Sequence, residues 1–194
     1  MRWGEKIAVC VLLLTPVSGL AGWRHGSKQV DPCPVAREYV EVPDCAAFTV
    51  KGRSYVRSDW TRDIFRGHGL KAGFRTLAWT RVNGLGWVYL DRSGRVVVSH
   101  VAPLDNGASP FHEGLVRVVR DGKWALVNGK GRAATRTEYD GILEYNHNRW
   151  LACTGCVTKQ VGEYGVFDGG HWVALGSNGK AIRGLEGTYA ELNR

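Results

Sequence analysis

From residue 76 onward the chain alternates short apolar runs with turn residues. The runs are four to eight residues long and rich in Val, Leu, Tyr and Trp, side chains that suit the pleated surface of a β-sheet. The turns between them are Asn83-Gly84, Asp91 to Gly94, Asp121-Gly122, Asn128-Gly129 and Ser177 to Gly179. Strand, tight turn and strand in succession indicates β-hairpins. The pattern therefore predicts an all-β fold of antiparallel hairpins and meanders stacked in one domain.

Residues 46–75 combine one further hairpin with the single helix that the pattern predicts. The hairpin consists of Ala47 to Val50, the turn Lys51-Gly52, and Tyr55 to Arg57. The helix is expected near 59–66, with Ser58 as its cap and Gly67 as its stop. We interpret 46–75 as a cap on the hairpins that follow, because the end units of repeat arrays differ in sequence from the others. Residues 184–194 form a weakly patterned tail.

Three segments share a tryptophan, a glycine seven positions later, and then a basic residue. They are Trp87 to Gly94-Arg95, Trp124 to Gly131-Arg132 and Trp172 to Gly179-Lys180. The tryptophans are 37 and 48 residues apart, as expected for a regular repeat whose third copy has an insertion of about eleven residues around 146–160. The span 76–183 is therefore predicted to hold three repeats. We expect each tryptophan to fill the core between neighbouring units, since one hairpin alone cannot build a core.

The second unit has the fullest version of the repeated sequence. It reads Gly114-Leu-Val-Arg-Val-Val-Arg-Asp-Gly-Lys123-Trp124 and continues to Tyr139-Asp140. In this the chain resembles the mostly bacterial WG-repeat, or KWG-repeat, proteins, although Val88, Ala125 and Val173 replace the glycine that usually follows the tryptophan. The resemblance implies a β-rich binding or scaffolding module, and it brings no catalytic residues with it.

The beginning of the chain has the layout of a secretory signal peptide over residues 1–21. Arg2 and Lys6 precede the apolar stretch Ile7 to Leu14, and a small-residue region ends at Ala21, where we expect cleavage. The apolar stretch is shorter than the ~20 residues of a membrane-spanning helix. We therefore expect an exported protein, periplasmic or secreted, that has no membrane span after cleavage.

Four cysteines follow the expected cleavage site, an even number for an oxidising compartment. Cys33 and Cys45 lie in a Pro-containing segment, 22–45, and Cys153 and Cys156 form a C-x-x-C. The pairs Cys33–Cys45 and Cys153–Cys156 are the simplest connectivity, because each joins cysteines that are close in sequence. Crossed pairs between the two segments are not excluded by the sequence. The alternatives are a four-thiolate zinc site and a redox-active C-x-x-C. The latter usually opens a helix, whereas Cys153 closes an apparent strand.

The net charge of +8 suits acidic partners such as lipopolysaccharide, teichoic acid or nucleic acid. The lysines and arginines are nevertheless scattered singly along the chain, with no run of five. A solvated basic surface is the simpler interpretation, and a nucleic-acid partner is not expected.

No motif for a catalytic serine, a metal site or a phosphate-binding loop is present. The residues considered as catalytic candidates are His100, His112-Glu113, His147, His171, Asp63, Asp105, Asp140, Asp168, Ser99 and Ser109. None of them forms a recognised constellation, so we predict no catalytic residue, no metal and no cofactor. We expect His112 to be an exposed loop residue and the aspartates to act as local acceptors in turns.

Three functions are compatible with these features. The leading one is a non-enzymatic exported module that binds a protein, a peptide or a polymer of the cell envelope. The second is a binder of an envelope glycan or anionic polymer, which predicts Trp79, Trp150 and Tyr145 exposed in one concave patch. The third is a thiol-disulfide or hydrolytic enzyme, which predicts an accessible Cys153 beside a cationic group.

The predicted signal peptide has a direct test. We expect the exported protein to begin within a few residues of Gly22, because cleavage follows the small residues at the end of a signal. N-terminal sequencing of the folded, exported protein checks this. A protein that still begins at Met1 would contradict it.

Overall fold

The computed structural model describes residues 42–68, 76–104, 107–135, 138–162 and 164–193. The predicted signal peptide, the segment 22–41 with Cys33, and the side chain of Cys45 lie outside the described residues. The predicted Cys33–Cys45 pair therefore stays a prediction.

Short strands dominate the described part of the chain. In order they are β1 Ala47–Val50, β2 Arg53–Val56, β3 Leu77–Val82, β4 Gly86–Asp91, β5 Val96–Val101, β6 Pro103–Leu104, β7 Gly107–Ala108, β8 Leu115–Arg120, β9 Lys123–Asn128, β10 Gly141–Ile142, β11 Trp150–Thr154, β12 Val157–Val161, β13 Tyr164–Asp168, β14 His171–Leu175 and β15 Ala181–Gly187. Two short helices accompany them, α1 Ser58–Gly67 and α2 Tyr189–Leu192, with a 3₁₀ turn at Asp44–Ala46. The prediction of an all-β fold is confirmed.

The strands form several small antiparallel sheets. The largest has the order β3-β4-β5-β8-β9, and the next has the order β10-β11-β14-β15. Three further sheets are simple two-stranded pairs, β1-β2, β6-β7 and β12-β13. Most neighbours are joined by tight turns, as the glycine-containing sequence predicts. The arrangement of these hairpins as a regular stacked array stays a prediction.

Four clusters of buried side chains follow one another along the chain. The first packs α1 against β3 and β4 through Trp60, Phe65 and Val88. The second lies within the five-stranded sheet, and the third joins that sheet to the four-stranded one, with Trp150 at its centre. The fourth surrounds Trp172 and includes Cys153 and Cys156, the two cysteines of the C-x-x-C, both of which are buried. Each short hairpin thus shares its core with its neighbours in sequence, because it is too small to enclose one alone.

Helix α1 is confirmed, but Ser58 does not cap it. The N-cap position belongs to Arg57, with no side-chain cap hydrogen bond, and Ser58 is already helical. The hydroxyl of Thr61 instead donates to the carbonyls of Val56 (3.2 Å) and Arg57 (2.9 Å), which ties the first turn to β2. Within the described part of the chain, no helix has the length and apolar character needed to cross a membrane.

Helix α2 lies in the tail, where the pattern predicts no regular structure. Its start has a capping box: the backbone N–H and the hydroxyl of Thr188 both donate to Glu191, at 2.7 and 2.9 Å. Thr-x-x-Glu is the sequence signature of this device, so the signal was present in the chain. It is easily overlooked because the helix is only one turn long.

The turns that hold the repeated glycines share one geometry. Each glycine N–H donates to the carbonyl three residues earlier: Gly94 to Asp91 (2.9 Å), Gly131 to Asn128 (2.8 Å) and Gly179 to Gly176 (2.9 Å). The three glycines have φ values of 82, 74 and 74°, in the left-handed region that other residues rarely adopt. The sequence repeat is therefore also a repeat of local conformation.

Each of these turns is also pressed against an earlier part of the chain. An added Cβ would lie 2.2 Å from the Val56 carbonyl oxygen at Gly94, 2.3 Å from the Val97 carbonyl oxygen at Gly131, and 2.9 Å from the Ala134 Cβ at Gly179. Val97 lies three residues after Gly94, the first of the glycines. Ala134 lies three residues after Gly131, the second. Each later turn thus packs on the segment that leaves the turn before it.

The repeated tryptophans are not equally buried. Trp172 is 1% exposed, whereas Trp87 and Trp124 are only half-buried. Trp172 lies within the fourth core cluster, and the ring of Tyr189 in α2 packs on its indole with the centroids 5.3 Å apart. Trp87 and Trp124 pack against the second and third core clusters, so the tryptophans of the first two units contribute to the core without being fully enclosed by it. Trp150, outside the repeat pattern, is as buried as Trp172.

The close approach at the turns predicts unequal effects of adding a methyl group. Gly94→Ala and Gly84→Ala both force an L residue into left-handed φ, at a cost of about 1–2 kcal/mol. Nothing lies within 4 Å of a Cβ on Gly84. At Gly94 the Val56 carbonyl must also move, so we expect a loss of at least about 3 kcal/mol. Urea melts of the two variants provide the measurement, and equal losses would contradict the predicted contact.

Candidate functional site

A pocket of about 310 Å³ lies between the β10–β11 loop and α2. Its lining comprises Leu143, Glu144, Tyr145, Asn146, His147, Arg149, Leu151, Tyr189 and Asn193. Most of these side chains are polar, and two are tyrosines. The volume is at the lower end of the range of roughly 300–1,000 Å³ found for small-molecule sites.

The loop on one side of the pocket is a tight hairpin turn. Asn146 and Arg149 exchange two backbone hydrogen bonds of 3.0 Å, and the residues between them, His147 and Asn148, have φ values of 47 and 61°. The side-chain oxygen of Asn146 also accepts from the His147 N–H at 2.9 Å. Two consecutive residues with left-handed φ are the geometry of a type I′ hairpin turn, and His and Asn adopt this φ more often than most other non-glycine residues. The turn places His147 at the tip of the loop.

Helix α2 closes the other side of the pocket and is anchored at three points. Leu192 is buried in the fourth core cluster, and Tyr189 packs on Trp172. The guanidinium of Arg149 donates to the backbone carbonyl of Leu192, which bridges the loop to the C-terminal end of the helix. A cation is favourable at this end because the last carbonyls of a helix have no partner within it.

An aromatic cluster supports the pocket from behind. The ring of Tyr145 is stacked on His112, with centroids 5.7 Å apart, and lies 5.1 Å from the ring of Trp150. His112 also meets Trp150 edge to face at 5.7 Å. The expectation that His112 is an exposed loop residue is therefore wrong. It is half-buried because the β10–β11 loop folds back over it.

Arg117 is the buried cation beneath this cluster, 7% exposed. Its guanidinium donates to the Ile142 carbonyl (3.1 Å) and to the Ser109 hydroxyl (2.8 Å), and lies over the ring of Trp124 at 5.9 Å. Burial lowers the pKa of Arg117, while the negative charge of Glu144 acts in the opposite direction. Ser109, a candidate nucleophile from the sequence, thus serves as a hydrogen-bond acceptor for Arg117.

Three buried side-chain nitrogens in this region find no hydrogen-bond acceptor among the described residues: His112 Nε2, Arg117 Nε and Trp150 Nε1. The carboxylate of Glu144 is 3.4 Å from His112 Nε2, within ion-pair range but outside hydrogen-bond geometry. Buried donors without acceptors are costly and mark places that need an explanation. Glu144 therefore lies between the ring of His112 and the pocket that it lines.

The repeat residues lie apart from the pocket. None of Trp87, Trp124, Trp172, Gly94, Gly131 and Gly179 is part of its lining. The patch expected of a glycan binder does not form either, since Trp150 is buried and Trp79 packs instead against Trp87 at 5.4 Å. Tyr145 is the member of that expected trio which does reach the pocket.

The structure pairs Cys153 with Cys156, in a disulfide that joins the end of β11 to the start of β12. Cys153 is fully buried and faces Trp172 across the sheet. The accessible Cys153 beside a cation that a thiol enzyme requires is thus not observed. No helix follows Cys156, as the sequence predicts, because β12 begins at Val157.

Asp140 holds the disulfide loop to β9. Its carboxylate accepts from the ammonium of Lys123 at 2.5 Å and from the backbone N–H of Gly155 at 2.7 Å. The hydrogen bond from Lys123 is the main cause that lowers the pKa of Asp140, followed by the one from Gly155. Asp140, a catalytic candidate from the sequence, is therefore occupied by structural contacts to Lys123 and Gly155.

The other catalytic candidates are scattered. His100 contacts Ser99 (3.1 Å), His171 faces Glu186 (3.8 Å), Asp63 pairs with Arg66 (3.1 Å), and Asp168 pairs with Lys159 (3.7 Å). Asp105 lies outside the described residues. Within the described residues, no three His, Cys, Asp or Glu side chains are grouped so that they could hold a metal ion.

Most pocket residues were not identified from the sequence. Tyr145 and His147 are candidates from the sequence in other roles, but Glu144, Tyr189 and Asn193 carry no motif, because they meet only when α2 folds onto the β10–β11 loop. Arg117 does leave a signal, since it is a lone charge within the apolar run of β8. Strand alternation would place it on a solvated face, but the strand is buried on both faces from Leu115 to Val118.

Comparison of the chain with protein-family models, with curated proteins and with solved structures found no match. The likeness to WG-repeat proteins accordingly depends on the quoted sequence motifs and stays a proposal.

The contacts of Asp140 predict a stability difference that disappears in acid. Because the folded-state pKa of Asp140 lies below its ordinary value of 3.8, its contribution is present above that value and is lost as the pH falls through the folded pKa. Asp140→Asn should therefore be less stable than the wild type at neutral pH, and the difference should shrink in strong acid. Thermal melts over a pH series measure this.

The matched control is Asp121→Asn. Asp121 is an exposed turn residue that has no ion pair among the described residues. It should follow the wild type across the pH series. If the Asp140→Asn difference persists unchanged in acid, the carboxylate contacts are not its cause.

Proposed function

We propose that the protein is a non-enzymatic binding module of the cell envelope, and that the pocket between the β10–β11 loop and α2 holds a polar group of its ligand. The construction of the pocket carries this proposal. Polar and aromatic side chains line a concavity whose two walls are tied together by Arg149 and Leu192.

Rigid walls favour binding because little conformational freedom is lost when the ligand arrives. The loop is held by its paired backbone hydrogen bonds, and α2 by its capping box and its buried Leu192. Behind the loop, Tyr145 is packed between His112 and Trp150. The exposed loop that forms one wall of the pocket is thus supported by aromatic side chains beneath it.

The chemistry of the lining indicates what kind of group fits. Glu144 supplies acceptors, and the amides of Asn146 and Asn193 supply both donors and acceptors. Tyr189, which is 42% exposed, adds an aromatic edge and a hydroxyl. This mixture suits a neutral or zwitterionic polar group better than a purely apolar or strongly anionic one.

Export to the envelope is part of the proposal. It is supported by the signal-like residues 1–21 and by the Cys153–Cys156 disulfide, since disulfides persist in oxidising compartments. The resemblance of residues 114–140 to WG-repeat units supports a binding or scaffolding role in the same way. A carbohydrate of the envelope is the second candidate ligand, favoured by the two tyrosines beside polar amides in the pocket.

An affinity capture experiment tests the function. The protein is immobilised and exposed to an envelope extract at low and high salt, alongside the pocket variants Glu144→Gln and Asn193→Ala. We expect one ligand to be retained at both salt concentrations, because the lining is not dominated by charge. Each pocket variant should weaken its capture by about tenfold, which corresponds to the loss of one good hydrogen bond.

The matched controls change the same chemical groups elsewhere. Glu186→Gln and Asn83→Ala lie outside the pocket and should capture the ligand as the wild type does. Capture that disappears in salt, or that falls equally in pocket and control variants, would contradict a specific site in this pocket. Digestion of the extract with protease or with glycosidases distinguishes a protein ligand from a glycan.

A further inference from the structure

The β1–β2 hairpin exposes apolar side chains on one of its faces. Phe48 and Val50 are each 47% exposed. The strand register places Phe48 opposite Tyr55 and Val50 opposite Arg53, so these four side chains lie on the same face. The rings of Phe48 and Tyr55 are stacked, with centroids 5.7 Å apart and planes 15° from parallel. Apolar side chains are thus concentrated near the tip of the hairpin, in contact with solvent.

The same tip carries positive charge that no described residue neutralises. Lys51, in the turn, and Arg53, beside it, are exposed and make no ion pair or side-chain hydrogen bond with the described residues. The segment 47–57 contains no acidic residue. Its third cation, Arg57, lies at the base of the hairpin and pairs with Asp59 at 2.5 Å. Within this hairpin, the two cations without a described partner, Lys51 and Arg53, therefore both lie at the tip.

The hairpin is held firmly at its base. The Val56 N–H donates to the carbonyl of Gly94 at 2.7 Å, and the Arg57 N–H donates to the carbonyl of Ala46 at 2.9 Å. Val56 and Ala46 are themselves buried in the first core cluster. The tip therefore projects from a rigid support, and its exposed side chains cannot bury themselves without breaking these contacts.

We propose that the tip of the β1–β2 hairpin is a docking surface for an anionic lipid bilayer. Phe48 and Val50 enter the headgroup region, where apolar and aromatic side chains leave water, while Lys51 and Arg53 pair with lipid phosphates. Charge complementarity supports this occupant, since the tip has cations and no acid. A soluble polyanion would satisfy the two cations equally well. It would leave Phe48 and Val50 in water, which is why a lipid surface fits the whole tip better.

A second exposed hairpin in the same chain provides a matched control. The β12–β13 hairpin exposes Val157 (64%) and Val161 (54%), and these side chains share one face of the strand. Its lysine, Lys159, lies 3.7 Å from the carboxylate of Asp168, so its cation is compensated. It has exposed valines without free positive charge and should not recruit a bilayer.

Vesicle sedimentation of the full chain tests the proposal. The protein is mixed with vesicles of phosphatidylcholine alone and with vesicles that also contain phosphatidylglycerol, at low and physiological salt. Two tip variants are compared with the wild type, Lys51→Glu/Arg53→Glu and Phe48→Ser/Val50→Thr. The control variants are Val157→Thr/Val161→Thr and Lys159→Glu. Every variant keeps the same N-terminal segment, so differences between variants report on the hairpins.

We expect the wild type to prefer the phosphatidylglycerol vesicles. Each tip variant should lose roughly tenfold in partitioning, and the controls should lose little. Thermal melts identify any loss that comes from unfolding, and the charge variant, which changes only exposed side chains, is expected to fold normally. Wild-type partitioning by the charge variant would overturn the proposal. An equal loss of partitioning in the control variants would also overturn it. Unchanged binding by the apolar variant, together with full competition by polyphosphate, would overturn it as well and would indicate a site for a soluble polyanion.

Discussion

The fold depends on the close approach between each repeated turn and an earlier segment of backbone. At Gly94 and Gly131 a carbonyl oxygen occupies the space that a Cβ would need. Only glycine permits both the left-handed φ and this contact. Gly131 and Gly179 each pack on the segment that leaves the previous turn, so these contacts join successive hairpins. The core is divided into separate clusters, and the two short helices complete the first and the last of them.

The candidate site depends on how the last hairpins are closed. Helix α2 packs on the four-stranded sheet, where Leu192 joins the fourth core cluster and Tyr189 lies against Trp172. This packing also brings Tyr189 to the β10–β11 loop. The pocket therefore depends on how α2 folds onto the sheet, and its two walls are tied together by the bond from Arg149 to the Leu192 carbonyl. Structure and candidate function share the same residues here.

Arg117 links the core to the site. A buried guanidinium costs desolvation unless its donors are satisfied, and two of its N–H groups reach Ile142 and Ser109. Glu144, which lines the pocket, acts on Arg117 at longer range, since its negative charge opposes the lowering of the Arg117 pKa by burial. The buried cation and the pocket wall are thus electrostatically linked.

Local sequence determined the strands, the turns and α1, because hydrophobic alternation, glycine and short-range hydrogen bonds act within a few residues. Asp91 and Asn128, for example, accept from backbone N–H groups two and four residues later, as turn residues do. The C-x-x-C pairing is equally local. The tertiary structure alone decided which tryptophans are buried, that His112 lies under a loop, and that Glu144 meets Tyr189 across a pocket. Those outcomes depend on contacts between segments distant in sequence, and no local pattern encodes the order in which short hairpins cover one another.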